Sequence, residues 1–140
     1  LLVCSEDFAL ENGLNPLASI VSTSVAGVPP EIMGYGPVPA SEKALQRAGL
    51  SMDDIDVIEL NEAFSAQALA CMKDMNLEID DTRINIDGGA LAIGHPLGAS
   101  GCRIIGKSAS LLQRLQADYA LATMCIGGGM GIATVLERWN

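Results

Sequence analysis

The sequence predicts an α/β domain built on a mixed sheet with helices on both faces. Apolar runs of strand length alternate with segments whose apolar residues recur every three to four positions, the pattern of a layered α/β fold. Two such runs near the end of the chain flank Gly127–Gly129, as in a β-hairpin. With 140 residues, 49% apolar and 18% charged, the chain is long enough for one domain with its own core.

The first part of the chain alternates predicted strands with short helices. Leu1–Cys4 is an apolar run typical of the middle of a strand, so we expect the chain to be a fragment. Ser5 is a predicted N-cap of a short helix. The next strand is predicted over Leu17–Val28, where the following prolines stop it. A helix over Ala40–Ala48 is predicted to end at Gly49 in a C-terminal cap.

The remainder of the chain follows the same alternation. Ser51–Asp54 is a predicted turn or single helical turn. Strands are predicted at Ile55–Leu60, Ile84–Ile86, Tyr119–Cys125 and Ile132–Leu136. Helices are predicted from Asn61 to about Met75, with Phe64, Ala68 and Cys71 sharing a face, and from Gly101 to Gln116, with a stripe formed by Ile104, Ile105, Ser108, Leu111, Leu112 and Leu115.

Composition argues against several classes of protein. The net charge of −9 argues against nucleic acid or an anionic membrane as the main partner, and no apolar run reaches 18 residues. A metal site is not expected, because the cysteines are scattered and there is one histidine. With no secretory signal, we expect reduced thiols in the cytoplasm or an organelle matrix. The four cysteines are Cys4, Cys71, Cys102 and Cys125.

A glycine-rich stretch, Asn85–Gly101, contains the only histidine, His95. Pro96 disfavours helical backbone at His95, so the imidazole is predicted to lie on an irregular turn between a strand and a helix. A lone histidine is more often an ordinary surface or core residue, but such a loop favours a functional role. A phosphate-binding loop is discarded, because the Gly-Lys-Ser/Thr ending is absent.

Two further positions have both a structural and a chemical interpretation. Asn61, at a strand-to-helix junction, is either an N-cap or an amide that holds a water or a substrate oxygen, and the two roles are compatible. Cys125 is either a buried strand residue or a thiol for nucleophilic or proton-transfer chemistry. The glycines that follow Cys125 offer backbone N–H groups of the kind that form an oxyanion hole.

Together these motifs resemble the C-terminal motifs of the thiolases, the acyl-CoA C-acyltransferases. The matching segments are Asn61–Phe64, the Gly88–Gly101 stretch with His95, and Cys125–Gly129, in the same order and with similar spacing. The Gly34–Ala40 passage also matches, so the resemblance covers essentially the whole chain.

The resemblance implies chemistry on coenzyme A thioesters, with acyl-CoA and coenzyme A as substrates and no permanently bound cofactor. It implies that Cys125 transfers the Cα proton, that His95 activates the acylated cysteine and polarises the thioester oxygen, and that Asn61 holds an oxyanion-hole water. The N–H of Gly127 is implied as a donor of the second oxyanion hole. Ala63 and Phe64 are implied to contact the pantetheine of acyl-CoA.

The resemblance also implies missing parts. In thiolases the acylated cysteine lies in a first α/β half and a loop domain supplies most coenzyme A contacts, and neither is found here. We therefore expect residues 1–140 to be a thiolase C-terminal domain that is inactive alone and that pairs with an N-terminal half or self-associates. Three alternatives stay open: a biosynthetic acetoacetyl-CoA thiolase, a non-catalytic acyl-CoA-binding or assembly domain, and a purely structural domain.

Overall fold

The computed structural model describes all 140 residues and confirms the α/β prediction. Four strands form one mixed sheet in the order β1-β4-β3-β2. They are β1 (Ala18–Gly27), β2 (Val57–Leu60), β3 (Tyr119–Ile126) and β4 (Met130–Arg138). Strand β4 is antiparallel to β1 and β3, whereas β2 is parallel to β3. The carboxyl ends of β2 and β3 therefore lie side by side at one edge of the sheet.

Five α-helices surround the sheet. They are α1 (Glu6–Glu11), α2 (Pro37–Ala48), α3 (Ser65–Asp74), α4 (Ala90–Ile93) and α5 (Leu97–Leu115), with single 3-10 segments at Pro30–Tyr35 and Met52–Asp54. As predicted, the Ser5 hydroxyl caps α1 by accepting from the Phe8 N–H, and α2 ends at Gly49 in the left-handed region. None of the helices combines the length and the hydrophobicity that crossing a membrane requires.

The helices divide between the two faces of the sheet, as the sequence predicts. Successive side chains of β3 point to opposite faces. Leu121 packs with residues of α2 and α3, whereas Ala120 packs with Leu111 and Leu112 of α5. Four residues of the predicted α5 stripe are buried, Ile105 is partly buried, and Leu115 is 48% exposed in the last turn. Helix α5 thus lies on one face and α2 with α3 on the other.

Two glycine-rich passages meet where α2 begins. A Cβ built on Gly131, at the start of β4, would lie 2.0 Å from the backbone of Gly36. The Thr123 hydroxyl donates to backbone carbonyls of Pro37, at 3.5 Å, and Ile132, at 3.0 Å. The close approach of Gly131 and Gly36 is possible because neither residue has a side chain. It joins the N-terminus of α2 to the hairpin that carries Cys125.

Two strand predictions are wrong. Leu1–Cys4 forms no strand and is exposed, because no neighbouring strand is available to complete its hydrogen bonds. At Ile84–Ile86 only a single bridge forms, between Ile84 and Ile58. Asn85 takes a left-handed conformation with φ 46° and pairs with β2 through its side chain: Oδ1 accepts from the Leu60 N–H at 3.0 Å and Nδ2 donates to the Leu60 carbonyl at 2.9 Å.

The starts of two helices also differ from the prediction. Helix α5 begins at Leu97 rather than Gly101, because packing against β2 and β3 outweighs the low helix propensity of its glycines. Helix α3 begins at Ser65, so Phe64 is its N-cap and is 59% exposed. Phe64 therefore does not share the buried face of Ala68 and Cys71.

Candidate active site

Asn61 lies immediately after β2 and is only 1% exposed. Its backbone N–H donates to the Thr123 carbonyl at 3.0 Å, which extends the β2–β3 pairing by one residue. Helix α3 begins four residues later, so the interpretation of Asn61 as an N-cap is wrong. Its amide is instead directed to the face of the sheet that α5 covers, where it contacts His95 and Arg103.

His95 lies between α4 and α5 on the irregular turn that the sequence predicts. Its Nδ1 is 2.6 Å from Oγ of the fully buried Ser100, whose hydroxyl donates to the Pro96 carbonyl at 3.2 Å. A serine hydroxyl can accept from Nδ1 or donate to it, so this contact holds the ring in place and fits either neutral tautomer.

Asn61 and His95, 34 residues apart in sequence, contact each other directly. The Nδ2 of Asn61 is 3.4 Å from Nε2 of His95. On its other side, Oδ1 of Asn61 accepts from Nη2 of Arg103 at 3.3 Å. A guanidinium only donates, so the amide oxygen faces Arg103 and the amide NH₂ faces the imidazole. An NH₂ group facing Nε2 favours the neutral ring that has its proton on Nδ1 and a lone pair on Nε2.

The carboxylate of Glu62 fastens the glycine-rich stretch to the end of β2. Its two oxygens accept from the Leu91 N–H at 2.9 Å and from Nδ2 of Asn85 at 2.8 Å. A Cβ on Gly89 would come too close to that carboxylate, so a larger residue there would displace Glu62 from its two donors. The segment that ends at His95 is therefore held against the end of β2, next to Asn61.

Cys125 is the penultimate residue of β3 and is half-buried. By the alternation along β3, its side chain lies on the face of α2 and α3, opposite to the Asn61 amide. Burial raises the pKa of its thiol. No hydrogen bond joins Sγ to His95 or Asn61, so the structure places Cys125 at the same sheet edge but not in polar contact with the other two.

The remaining predicted site residues lie at the same end of the sheet. Gly127 is exposed in the hairpin turn, and its N–H donates no hydrogen bond within the chain. The N–H of Ala63 donates to the Asn61 carbonyl at 3.1 Å in a tight turn, and Phe64 follows it with an exposed ring. No three His, Cys, Asp or Glu side chains are grouped so as to hold a metal ion.

A buried carboxyl group lies beside the site. Glu59, two residues before Asn61 on the same face of β2, is 4% exposed. Burial raises the pKa of Glu59 to about 7, although the nearby cations of Lys107 and Arg103 oppose the rise. Asp87 and Glu62 add to the rise through their negative charges.

Sequence reasoning missed four residues that position the site. They are Glu62, Asn85, Ser100 and Arg103. The only local signal is the helical spacing of Ser100 and Arg103, which places both on one side of α5. Their partners on other elements carry no such signal, because those contacts depend on tertiary packing.

Comparison with known proteins identifies the relatives of this chain. Residues 14–138 match the family described as "Thiolase, C-terminal domain". A 3-ketoacyl-CoA thiolase of Salmonella typhimurium is 59% identical over 139 residues, which are 99% of this chain and 36% of that protein. The chain thus spans about a third of the length of the curated relatives it matches.

Solved structures give the same relationship. Human mitochondrial 3-ketoacyl-CoA thiolase in complex with CoA aligns with a TM-score of 0.93 at 46% identity, over 97% of this chain and 34% of that one. The Bacillus anthracis acetyl-CoA acetyltransferase aligns with a TM-score of 0.92 at 44% identity, over 96% and 34%. The family match and these alignments place the chain in the thiolase family, as a C-terminal thiolase domain.

Proposed function

We propose that this chain forms the C-terminal catalytic half of a thiolase that transfers acyl groups between coenzyme A thioesters. The reaction is the thiolytic cleavage of a 3-ketoacyl-CoA by coenzyme A to acetyl-CoA and a shortened acyl-CoA, or the reverse Claisen condensation. The observation that carries the proposal is the contact between Asn61 Nδ2 and His95 Nε2, which unites two of the predicted site residues in a fold shared with 3-ketoacyl-CoA thiolases.

Each group is suited to a step of this reaction. The Nε2 lone pair of His95 accepts the proton of the cysteine that is acylated, and the resulting Nε2–H then donates to the thioester oxygen. Asn61 holds a water beside that oxygen. Cys125, whose raised pKa keeps it a neutral thiol at pH 7, returns a proton to the Cα carbanion of acetyl-CoA and acts as base in its thiolate form. The free N–H of Gly127 serves the second oxyanion.

The acylated cysteine has no counterpart among the four cysteines here. Cys4 and Cys102 are exposed, and Cys71 is buried in α3. In the proposal, that cysteine and most coenzyme A contacts come from an N-terminal half and a loop domain. Ala63 and Phe64 line the approach of the pantetheine. No cofactor is held permanently, since coenzyme A is a substrate.

The test is thiolysis of 3-ketoacyl-CoA by the protein in which this chain is joined to a thiolase N-terminal half. His95→Ala and Cys125→Ala should each lower kcat ~10²–10⁴-fold, and Asn61→Ala ~10²-fold. Cys102→Ala removes an exposed thiol from α5 and is the matched control. Equal activity of Cys125→Ala and Cys102→Ala would refute the assignment. Thiolysis by the isolated chain, abolished by Cys125→Ala, would refute the need for a second half.

A biosynthetic acetoacetyl-CoA thiolase is the second candidate, since the B. anthracis acetyl-CoA acetyltransferase shares the fold. The higher identity to 3-ketoacyl-CoA thiolases favours a degradative role in fatty acid β-oxidation. Rates measured with acetoacetyl-CoA and with a long-chain 3-ketoacyl-CoA distinguish the two, and a degradative enzyme should cleave the longer substrate.

We infer that the domain assembles with other chains or other parts of the protein. Large apolar side chains are exposed at Leu1, Leu2, Leu91, Ile93 and Leu97, each by more than 60%. Exposed apolar surface of this kind marks an interface. We propose that this domain packs against a thiolase N-terminal half and that the protein forms a homo-oligomer. We also propose that the protein is located in the cytoplasm, or in an organelle matrix in a eukaryote. A clean monomer in sedimentation would contradict self-association.

A further inference from the structure

Arg103 reaches from the second turn of α5 to the end of β2. Its Nη2 lies 3.3 Å from Oδ1 of Asn61, and its Nε is buried without a hydrogen-bond partner. Asn61 is itself 1% exposed, so other protein groups surround its amide. The orientation of this amide is therefore set by whichever buried groups face it.

Two orientations of an Asn amide have nearly the same shape and opposite hydrogen-bonding character. With Oδ1 turned to Arg103, the NH₂ group faces Nε2 of His95 and matches a lone pair there. With the amide rotated by about 180°, Oδ1 would face Nε2 and favour a proton on that nitrogen. The guanidinium, which only donates, permits the first orientation and opposes the second.

Glu59 is a buried acidic group whose ionised form this guanidinium favours. It lies two residues before Asn61 on the same face of β2, is 4% exposed, and its Oε1 has no hydrogen-bond partner. An orphaned acceptor on Glu59 and an orphaned donor on Arg103 are thus buried in the same layer between β2 and α5. Of the other charged groups that act on Glu59, Lys107 is engaged by Asp87, and Glu62 binds Asn85 and the Leu91 N–H.

We propose that Arg103, buried in the same layer as the carboxyl group of Glu59, is a positioning residue that fixes the Asn61 amide and through it keeps the proton of neutral His95 on Nδ1. The inference rests on the proposed function only for its catalytic consequence. The imidazole acts as a base through Nε2, so an amide fixed in this way preserves the reactive lone pair. Arg103 itself contacts no reacting atom.

The test uses the fact that His95 is the only histidine in the chain, so the imidazole signals in ¹⁵N NMR belong to one residue. In the wild-type chain, Nδ1 should be the protonated nitrogen of the neutral His95 ring. Arg103→Met should move a measurable fraction of the ring to the Nε2–H tautomer. Lys107→Met, which removes a positive charge one helical turn further along α5, should leave the tautomer unchanged. Arg103→Lys, which keeps a donor, should partly restore the wild-type signal.

Removing Arg103 alone also removes a cation that favours the ionised form of the buried Glu59, so the carboxyl group changes together with the amide. The Glu59→Gln/Arg103→Met double variant removes both charges, and its ring should shift as in Arg103→Met. An unchanged Nδ1–H tautomer in the double variant would overturn the proposal, as would an equal shift in Lys107→Met. In the joined enzyme, Arg103→Met should lower kcat ~10–100-fold with little change in KM. Failure of the enzyme to show thiolysis at all would refute the proposed function and leave the tautomer result standing.

Discussion

The buried carboxyl group of Glu59 makes a sharp prediction about how stability depends on pH. Its folded-state pKa of about 7 lies above the ordinary value of 4.5. The folded chain therefore binds a proton that the unfolded chain has already released between these values. The stabilising effect of this proton is fully present below pH 4.5 and is lost as the pH rises through 7. Glu59→Gln, an uncharged side chain of similar shape, should remove this loss.

The magnitude follows from the difference between the two pKa values. One pKa unit corresponds to about 1.4 kcal/mol, so complete ionisation of Glu59 lowers the free energy of unfolding by about 3 kcal/mol. Most of this, roughly 2 kcal/mol, falls between pH 5 and pH 8. With a urea m-value of about 2 kcal/mol/M, the unfolding midpoint of wild type should fall by about 1 M more than that of Glu59→Gln over this range.

The assay is urea unfolding of both proteins at pH 5 and pH 8, because groups that titrate alike in both cancel in the comparison. Glu78→Gln, at an exposed glutamate, is the matched control and should keep the wild-type pH dependence. If Glu59→Gln lost stability between pH 5 and pH 8 as steeply as wild type and Glu78→Gln, Glu59 would be ionised in the folded chain throughout this range. The reasoning from burial would then be refuted.

Three further outcomes follow from the packing. Gly131→Ala should destabilise the chain by about 3 kcal/mol or more, since its Cβ would lie 2.0 Å from Gly36, and a loss below about 1 kcal/mol in urea unfolding would contradict this contact. Asn85→Ala should cost about 2–3 kcal/mol, because it leaves backbone groups of β2 without partners, whereas Asn85→Gly should recover the part due to its positive φ. At pH 7.5, alkylation of Cys125 by iodoacetamide should be at least ~10-fold slower than that of exposed Cys102, and equal rates by mass spectrometry would contradict the burial of the thiol.

Elements specified by local pattern were predictable from the sequence. The strand predicted over Leu17–Val28 is β1 to within one residue at each end, because it is rich in β-branched residues and prolines follow it. The end of α2 at Gly49 was predictable for a similar reason, since a left-handed cap favours glycine. The hairpin of β3 and β4 was predictable from two apolar runs that flank a glycine-rich turn.

Elements that depend on a neighbour were predicted less well. Leu1–Cys4 has the composition of a strand, but a strand forms only against a partner. The glycines at 98 and 101 delayed the predicted start of α5, although the helix already begins at Leu97 against the sheet. The contacts of Asn61 with His95 and Arg103 could not be predicted from the sequence, because they join three separate elements.

The two asparagines that broke local rules share a physical cause. Asn61 should cap a helix and does not, and Asn85 should extend a strand and instead turns out of it. In both cases a short amide side chain bonds to groups distant in sequence, Asn61 to His95 and Asn85 to the backbone of β2 and Glu62. Each residue gives up a local hydrogen bond so that its amide can hold the His95 segment against the sheet edge. A propensity rule thus fails at both asparagines, as expected for a site that is assembled from tertiary contacts.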